Sequence, residues 1–301
     1  MEIIESVHNR RFEPLGRPLS RLVLGTLVVD EDVLDEWVRL GGNVVDTARV
    51  YGDGAAEEAL GAWLAARPEV RDDLVLLTKG AHPEGDRRRV TPDAIAADLE
   101  ASIACLGRAP DIYMLHRDDR SLPVGPMVEC LNEHLRAGRL RAFGASNWTC
   151  ERIDEANAYA AAHDLAGFTC SSVHLSLAAQ NEEHWPDTLS ATDPAIHAWH
   201  ERTQMPLFAW SAQARGFFAD HDSESVDRVY DNEGNRERRR RAAEIGHRLG
   251  ASANQVALAW VLAQPFPVYA VVGVRTVAQL RQAVGALDVE LSPDDLLHLR
   301  A

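Results

Sequence analysis

The sequence predicts an α/β fold, a closed (β/α)8 barrel of parallel strands wrapped by helices. Three observations carry this prediction. Eight short runs rich in β-branched and aliphatic residues recur along the 301 residues, with helix-period segments between them. The runs are continuously apolar, as in strands buried on both faces. The length fits a barrel of about 250 residues with insertions. An open doubly wound sheet is the rival, but the first run leads into "GTLVVDED", which has no G-x-G-x-x-G turn. The nearest match, "GDGAAE" at 52–57, lacks the third glycine and follows the second run, so it marks only a helix N-terminus. Residues 1–301 are expected to form one domain.

In chain order, "RRFEPLGRPLS" (10–20), with a turn at Leu15-Gly16, predicts a short N-terminal β-hairpin that caps the barrel bottom. The first strand is "RLVLGT" (21–26), and the helix "EDVLDEWVRLGG" after it stops on glycines. "NVVDT" (43–47) and "LVLLTK" (74–79) are the second and third strands. The helix "TPDAIAADLEASIACLG" has Thr91 as N-cap, Pro92 at its first position and Gly107 past its end. "DIYMLH" (111–116), "AFGASN" (142–147) and "FTCSSV" (168–173) continue the strand series, separated by "GPMVECLNEHLRAG" and "CERIDEANAYAAAH". A long polar connection precedes the short helix "DPAIHAWHERTQ". The last strands, "PLFAWS" (206–211) and "VYAVVG" (268–273), are followed by "SANQVALAWVLAQ" and "TVAQLRQAVGALD" respectively.

A formal net charge of -15 disfavours non-specific binding to nucleic acid or to an anionic membrane surface. The run "RERRRR" (236–241) is a local exception, but Glu233, Glu237 and Glu244 beside it point to a solvated helix face. No apolar segment nears the roughly 20 residues that span a bilayer, and the "MEIIESVHNRR" start lacks signal-peptide features. Cys105, Cys130, Cys150 and Cys170 form no C-x-x-C pair and lie near no histidine at metal-ligand spacing, so free thiols in a reducing cytoplasm are expected, with no metal.

The polar residues that end the runs carry the chemistry. The second run ends in Asp46, the third in Lys79, the fourth in His116, the fifth in Ser146-Asn147, the seventh in Trp210-Ser211 and the eighth in Gly273. In a barrel these ends emerge on one face, the face that holds the active site. Tyr51 follows Asp46 by five positions. A phenol, with an ordinary pKa of about 10, is protonated at neutral pH and can donate a proton to a developing alkoxide. A neighbouring Lys79 ammonium is expected to lower that pKa, with Asp46 holding the lysine and offsetting its charge. His116 can orient a carbonyl oxygen or relay a proton. Proton donation is half of a carbonyl reduction, and the hydride for the other half requires a nicotinamide cofactor.

"NVVDTARVYG", "LLTKG", "MLHRDD" and "GRLRAFGASNW" resemble the signature motifs of the aldo-keto reductases, and the likeness runs from "SRLVLGT" to "LDVELSPDDLLHL". The resemblance implies a catalytic tetrad of Asp46, Tyr51, Lys79 and His116, with Tyr51 as general acid. It implies NADPH as cofactor, with NADH as the alternative. Ser146 and Asn147 would then hold the carboxamide, Trp210 would stack on the nicotinamide, and the 211–218 loop, with Ser211, Gln213, Arg215 and Gly216, would cross the pyrophosphate. Arg275 would meet the adenosine 2′-phosphate, with Gln279 assisting, and Gly25, Thr26, Gly273 and Gln282 complete the expected cofactor set. The sequence departs from the family pattern in three places: Ser172 stands where a glutamine is usual, Ser211-Ala212-Gln213 replaces Ser-Pro-Leu, and Gln282-Ala283 replaces Glu-Asn.

Arg49, Arg117 and Trp148 lie within two residues of these positions and are the expected substrate contacts. The connections at 174–193 and 212–235 add Trp185, Arg215, Phe217 and Phe218. An aromatic, arginine-rich rim suits an aldehyde or ketone, or the matching alcohol, carried on a sugar or glycosylated compound. A cofactor-sensing regulatory protein on the same fold, like the cytoplasmic subunits of potassium channels, is the alternative function. A phosphate-binding isomerase barrel is disfavoured, because no glycine-rich phosphate loop follows the seventh or eighth strand. Both a monomer and a homo-oligomer are compatible with the sequence.

Overall fold

The computed structural model describes residues 9–219 and 223–300. The predicted hairpin is present: β1 (Asn9–Phe12) pairs antiparallel with β2 (Arg17–Ser20). Gly16 makes the turn at φ 62°, a left-handed conformation that glycine adopts without strain. The remaining strands close an all-parallel barrel. They are β3 (Leu22–Gly25), β4 (Val44–Asp46), β5 (Val75–Gly80), β6 (Ile112–Leu115), β7 (Ala142–Ser146), β8 (Ser171–Ser172), β9 (Leu207–Ala209) and β10 (Val268–Val272), with β10 pairing back onto β3. Each predicted run holds one of them. The sixth keeps only two residues in its ladder, fewer than the run 168–173 suggested.

Helices follow the strands in turn: α1 (Glu31–Arg39), α2 (Ala55–Ala65) with the short α3 (Pro68–Arg71), α4 (Pro92–Leu106), α5 (Gly125–Arg136), α6 (Cys150–Ala162) and α7 (Pro194–Thr203). After β9 come α8 (Glu224–Tyr230), α9 (Glu233–Leu249) and α10 (Ala253–Leu262); after β10 come α11 (Val277–Val284) and α12 (Pro293–Arg300). The caps follow the sequence: Thr91 accepts from the Ala94 amide, and Gly107 ends α4 at φ 68°. The arginines of α9 are largely neutralised on its surface, Arg236 by Asp231, Arg241 by Glu237, and Arg240 by both Glu237 and Glu244. No helix among the described residues is long and apolar enough to cross a membrane.

Strand parity sorts the core. Val23, Val44, Leu77, Met114, Cys170, Phe208 and Tyr269 fill the barrel interior, while Leu24, Val45, Leu76, Ala209 and Val272 pack outward against helices. Phe12, Leu15 and Leu19 of the hairpin join the interior cluster and close the bottom. The Phe12 ring meets Phe208 and Tyr269 edge-on at 6.0 Å, and the Tyr269 hydroxyl reaches the Arg11 carbonyl at 3.3 Å. With the bottom plugged, the barrel opens only where the strands end.

Candidate active site at the barrel mouth

The period-two parity that buries Val44, Leu77 and Met114 also aims Asp46, Lys79 and His116 inward, one layer higher. Asp46 lies opposite Leu77 in the ladder and Lys79 opposite Met114. The His116 amide bonds the Gly80 carbonyl at 2.8 Å, extending the pairing one step past β6. The loop to Tyr51 is pinned by the Thr47 amide on the Leu77 carbonyl (2.8 Å) and the Arg49 amide on the Lys79 carbonyl (2.9 Å). It then passes through left-handed Gly52, Asp53 and Gly54. Gly54 is required: a Cβ there would lie 1.6 Å from Arg49 Nη1, and its φ is 98°.

The four expected catalytic residues come together. Lys79 Nζ donates to Asp46 Oδ1 at 2.5 Å and to the Thr47 carbonyl at 3.0 Å, with both side chains buried. The ammonium lies 5.4 Å from the Tyr51 ring centroid, and the Tyr51 and His116 rings meet edge-on at 6.0 Å. Burial by itself would lower the Lys79 pKa, but attraction to Asp46 and Tyr51 outweighs it, so the amine sits above its ordinary value and stays charged. Burial pushes the Tyr51 phenol up more than Lys79 pulls it down. The expected lowering is therefore only a partial counterweight, and Tyr51 stays above its ordinary range. His116 is held well below its ordinary value by burial and by the cations Lys79 and Arg117. Its buried Nδ1 has no hydrogen-bond partner. The site thus presents a protonated phenol, a neutral imidazole and a charged lysine.

Most of the expected cofactor residues lie at or just beyond the ends of β7 to β10, with Gly25 and Thr26 at the end of β3. Ser146 and Asn147 are buried at the end of β7, with Asn147 in a left-handed conformation. The Asn147 amide donates to Ser146 Oγ (3.0 Å) and its Oδ1 accepts from the Leu189 amide (3.2 Å). That leaves the Ser146 hydroxyl hydrogen unspent on Asn147. Ser172 is buried at the end of β8, on the inward parity of Cys170. Thr26 bonds the Asp46 carbonyl through both its amide and its hydroxyl, and Gly25 lies against Val271. Trp210 lies 5.1 Å from the His174 ring and 5.6 Å from Trp185, with its Nε1 unpartnered. Ser211 and Arg215 both have positive φ, as does Gly216, whose amide bonds the Gln213 carbonyl at 2.9 Å. Arg215 reaches His184 at 2.6 Å and lies over Trp185.

Beyond β10, a Cβ on Gly273 would meet nothing within 4 Å. Arg275 is exposed; its amide bonds Gln279 Oε1 at 2.8 Å, and among the described residues its guanidinium has no ion pair. Gln282 turns instead to Ser252 Oγ, at 3.3 Å.

The expected substrate contacts divide. Arg49 points away from the mouth, toward buried Glu57 (3.5 Å), Cys105 Sγ (3.9 Å) and the Asp53 carbonyl (3.2 Å). Glu57 is in turn held by Thr78 Oγ1 at 2.6 Å, so Arg49 serves the packing of α2 on the barrel. Trp148, expected as a substrate contact, is buried, and its Nε1 donates to the Arg117 carbonyl at 2.9 Å. Phe217 and Phe218 are buried as well. Arg117 stays at the site. His82, not among the expected site residues, joins the site, with its ring 4.9 Å from His116. Its place three residues after Lys79, at the same strand end, was the available signal. The Arg88–Asp187 ion pair (2.7 Å), equally unexpected from sequence, ties the loop after β5 to the long loop after β8.

Comparison with known proteins gives one consistent answer. The chain matches the Aldo/keto reductase family over residues 29–301. It is 28% identical over 307 residues to the uncharacterized oxidoreductase YrpG of Bacillus subtilis, covering 93% of this chain and 91% of the relative. It is 26% identical to the aryl-alcohol dehydrogenase [NADP(+)] of Phanerodontia chrysosporium, covering 89% and 74% respectively. Among solved structures, the thermostable aldo-keto reductase Tm1743 in complex with epalrestat superposes with a TM-score of 0.76 at 23% identity, over 97% of this chain and 98% of that one.

Proposed function

The chain belongs to the aldo/keto reductase family, and from that premise we propose that it reduces an aldehyde or ketone to the alcohol, or runs the reverse oxidation, with NADPH and with Tyr51 as general acid. The observation that carries this reading is the buried Asp46–Lys79 ion pair against the face of Tyr51. A buried charge pair costs desolvation free energy, and here it places a fixed positive charge beside the hydroxyl that must release a proton. The ammonium favours the phenolate left after donation, so it lowers the barrier where charge develops. Neutral His116 can donate one hydrogen bond to the carbonyl oxygen and so orient it toward Tyr51.

Several features support the cofactor part. Ser146 and Asn147 offer amide-matching groups at the mouth, and Trp210 presents a ring beside them. The exposed guanidinium of Arg275 suits a 2′-phosphate, with the donor fork that phosphate geometry favours. NADP(+) also stands in the name of the aryl-alcohol dehydrogenase relative. A nicotinamide bound there supplies the hydride. Residues 1–301 are taken as one functional unit, since the hairpin plugs the barrel and Leu299 of α12 packs into its outer core. The four cysteines are free, which supports a reducing cytoplasm as the place of action.

Of the expected rim, Arg117, Trp185 and Arg215 remain near the mouth. This smaller set supports aryl carbonyls alongside the sugar or glycosylated compounds expected from sequence. The test is tryptophan-fluorescence titration with NADPH and NADH, followed by a carbonyl panel of aryl aldehydes, ketones and sugars. Tighter NADPH binding with turnover of at least one carbonyl is expected. NADPH binding with no turnover across the panel would favour the cofactor-sensing alternative.

A further inference from the structure

Arg117 is as buried as Arg152, yet the two are treated differently by their surroundings. Arg152, 8% exposed, pairs with Asp118 and Glu155. Arg117, 7% exposed, has no carboxylate within ion-pair distance among the described residues. Its hydrogen bonds run from Nη1 to the His116 carbonyl (2.9 Å) and from Nε to the Pro186 carbonyl (3.4 Å), leaving Nη2 unspent. Asp187, held by Arg88 at 2.7 Å, and Glu183 attract the Arg117 guanidinium only from beyond ion-pair distance. The Arg117 carbonyl accepts from buried Trp148, so the residue is fixed in place. A buried cation without a counter-ion is costly unless something else neutralises it. The guanidinium is close enough to Tyr51, His82 and His116 to influence all three electrostatically.

We infer that Arg117 forms an anion subsite beside the His116–Tyr51 pair, and that the preferred substrate is an oxo acid whose carboxylate it binds. The inference rests on the reductase reading and narrows it to a substrate class. The carboxylate supplies the close partner that Asp187 and Glu183 do not, and a guanidinium edge matches its two oxygens. A net charge of -15 gives an anion no long-range attraction, so its recognition has to be local to the guanidinium. In the reaction the carboxylate is unchanged: the carbonyl carbon gains the hydride from NADPH, its oxygen gains the Tyr51 proton, and solvent reprotonates the phenolate.

The test compares 2-, 3- and 4-carboxybenzaldehyde and succinic semialdehyde with their own methyl esters, using NADPH and the full chain. At least one acid should exceed its ester by about 10- to 100-fold in kcat/KM, mainly through KM, as a charge-assisted pair would give. Arg117→Gln should bring that ratio close to one, while Arg117→Lys keeps part of it. Thermal melts check that both variants fold. The same acids and esters are also titrated by tryptophan fluorescence with NADP(+), a readout that needs no turnover. No preference for any acid, or a preference that survives Arg117→Gln, overturns the inference while ester turnover leaves the reductase reading standing. If no carbonyl turns over but acids bind in an Arg117-dependent way, the subsite stands and the reductase reading falls.

Discussion

Tyr51 sits under two opposed influences, burial that raises its pKa and Lys79 that lowers it, and burial is the larger. A phenol kept protonated well into alkaline pH is the right state for an acid that must hold its proton until the alkoxide forms. Tyr51→Phe removes that proton and little else, because the ring still faces Lys79 and His116. Turnover should fall by roughly 10²- to 10⁴-fold, with NADPH quenching of tryptophan fluorescence retained. Full activity in steady-state assays would remove Tyr51 from the acid role. At this scale legibility depended on what orients a side chain. Asp46, Lys79 and His116 were readable because strand parity alone aims them. Arg49 and Trp148 were not, because Glu57 and the Arg117 carbonyl, distant in sequence, decide where they point.

The hairpin is the element whose role is clearest in energetic terms. Phe12 is 1% exposed and its ring touches both Phe208 and Tyr269 across the barrel floor. Phe12→Ala leaves a cavity between two β-strands that cannot collapse, so a loss of about 3–5 kcal/mol is expected. Urea unfolding followed by far-ultraviolet circular dichroism checks it, and an unchanged midpoint would mean that the plug carries no stability. The hairpin was legible from Gly16 and its flanking turn residues. The two-residue β8 was not, because "FTCSSV" has strand composition and only the diverging chain on either side limits its ladder.

Across the whole molecule, several histidines are buried in the neutral form. Burial lowers His174 to about 3 and His200 to about 4, and holds His116 well below its ordinary value. Above pH 6.5 folded and unfolded chains are both neutral at these sites, so nothing is gained or lost. Below it the unfolded chain takes up protons that the fold refuses, and stability falls until the folded pKa values are reached. Each histidine should cost about 1.4 kcal/mol by pH 5.5 relative to neutral pH. Denaturation midpoints at pH 7.5 and 5.5 measure this, and equal midpoints would contradict it.

The sequence by itself determined the barrel, its plugged bottom and the candidate catalytic residues at its strand ends, since a period of two and a fixed strand order leave little freedom. The tertiary structure decided which loop residues reach the mouth. It turned Arg49 into a brace, sank Trp148, brought His82 against His116 and left Arg117 buried with no ion pair among the described residues. Those outcomes depend on contacts between segments far apart in the chain, which no local pattern encodes.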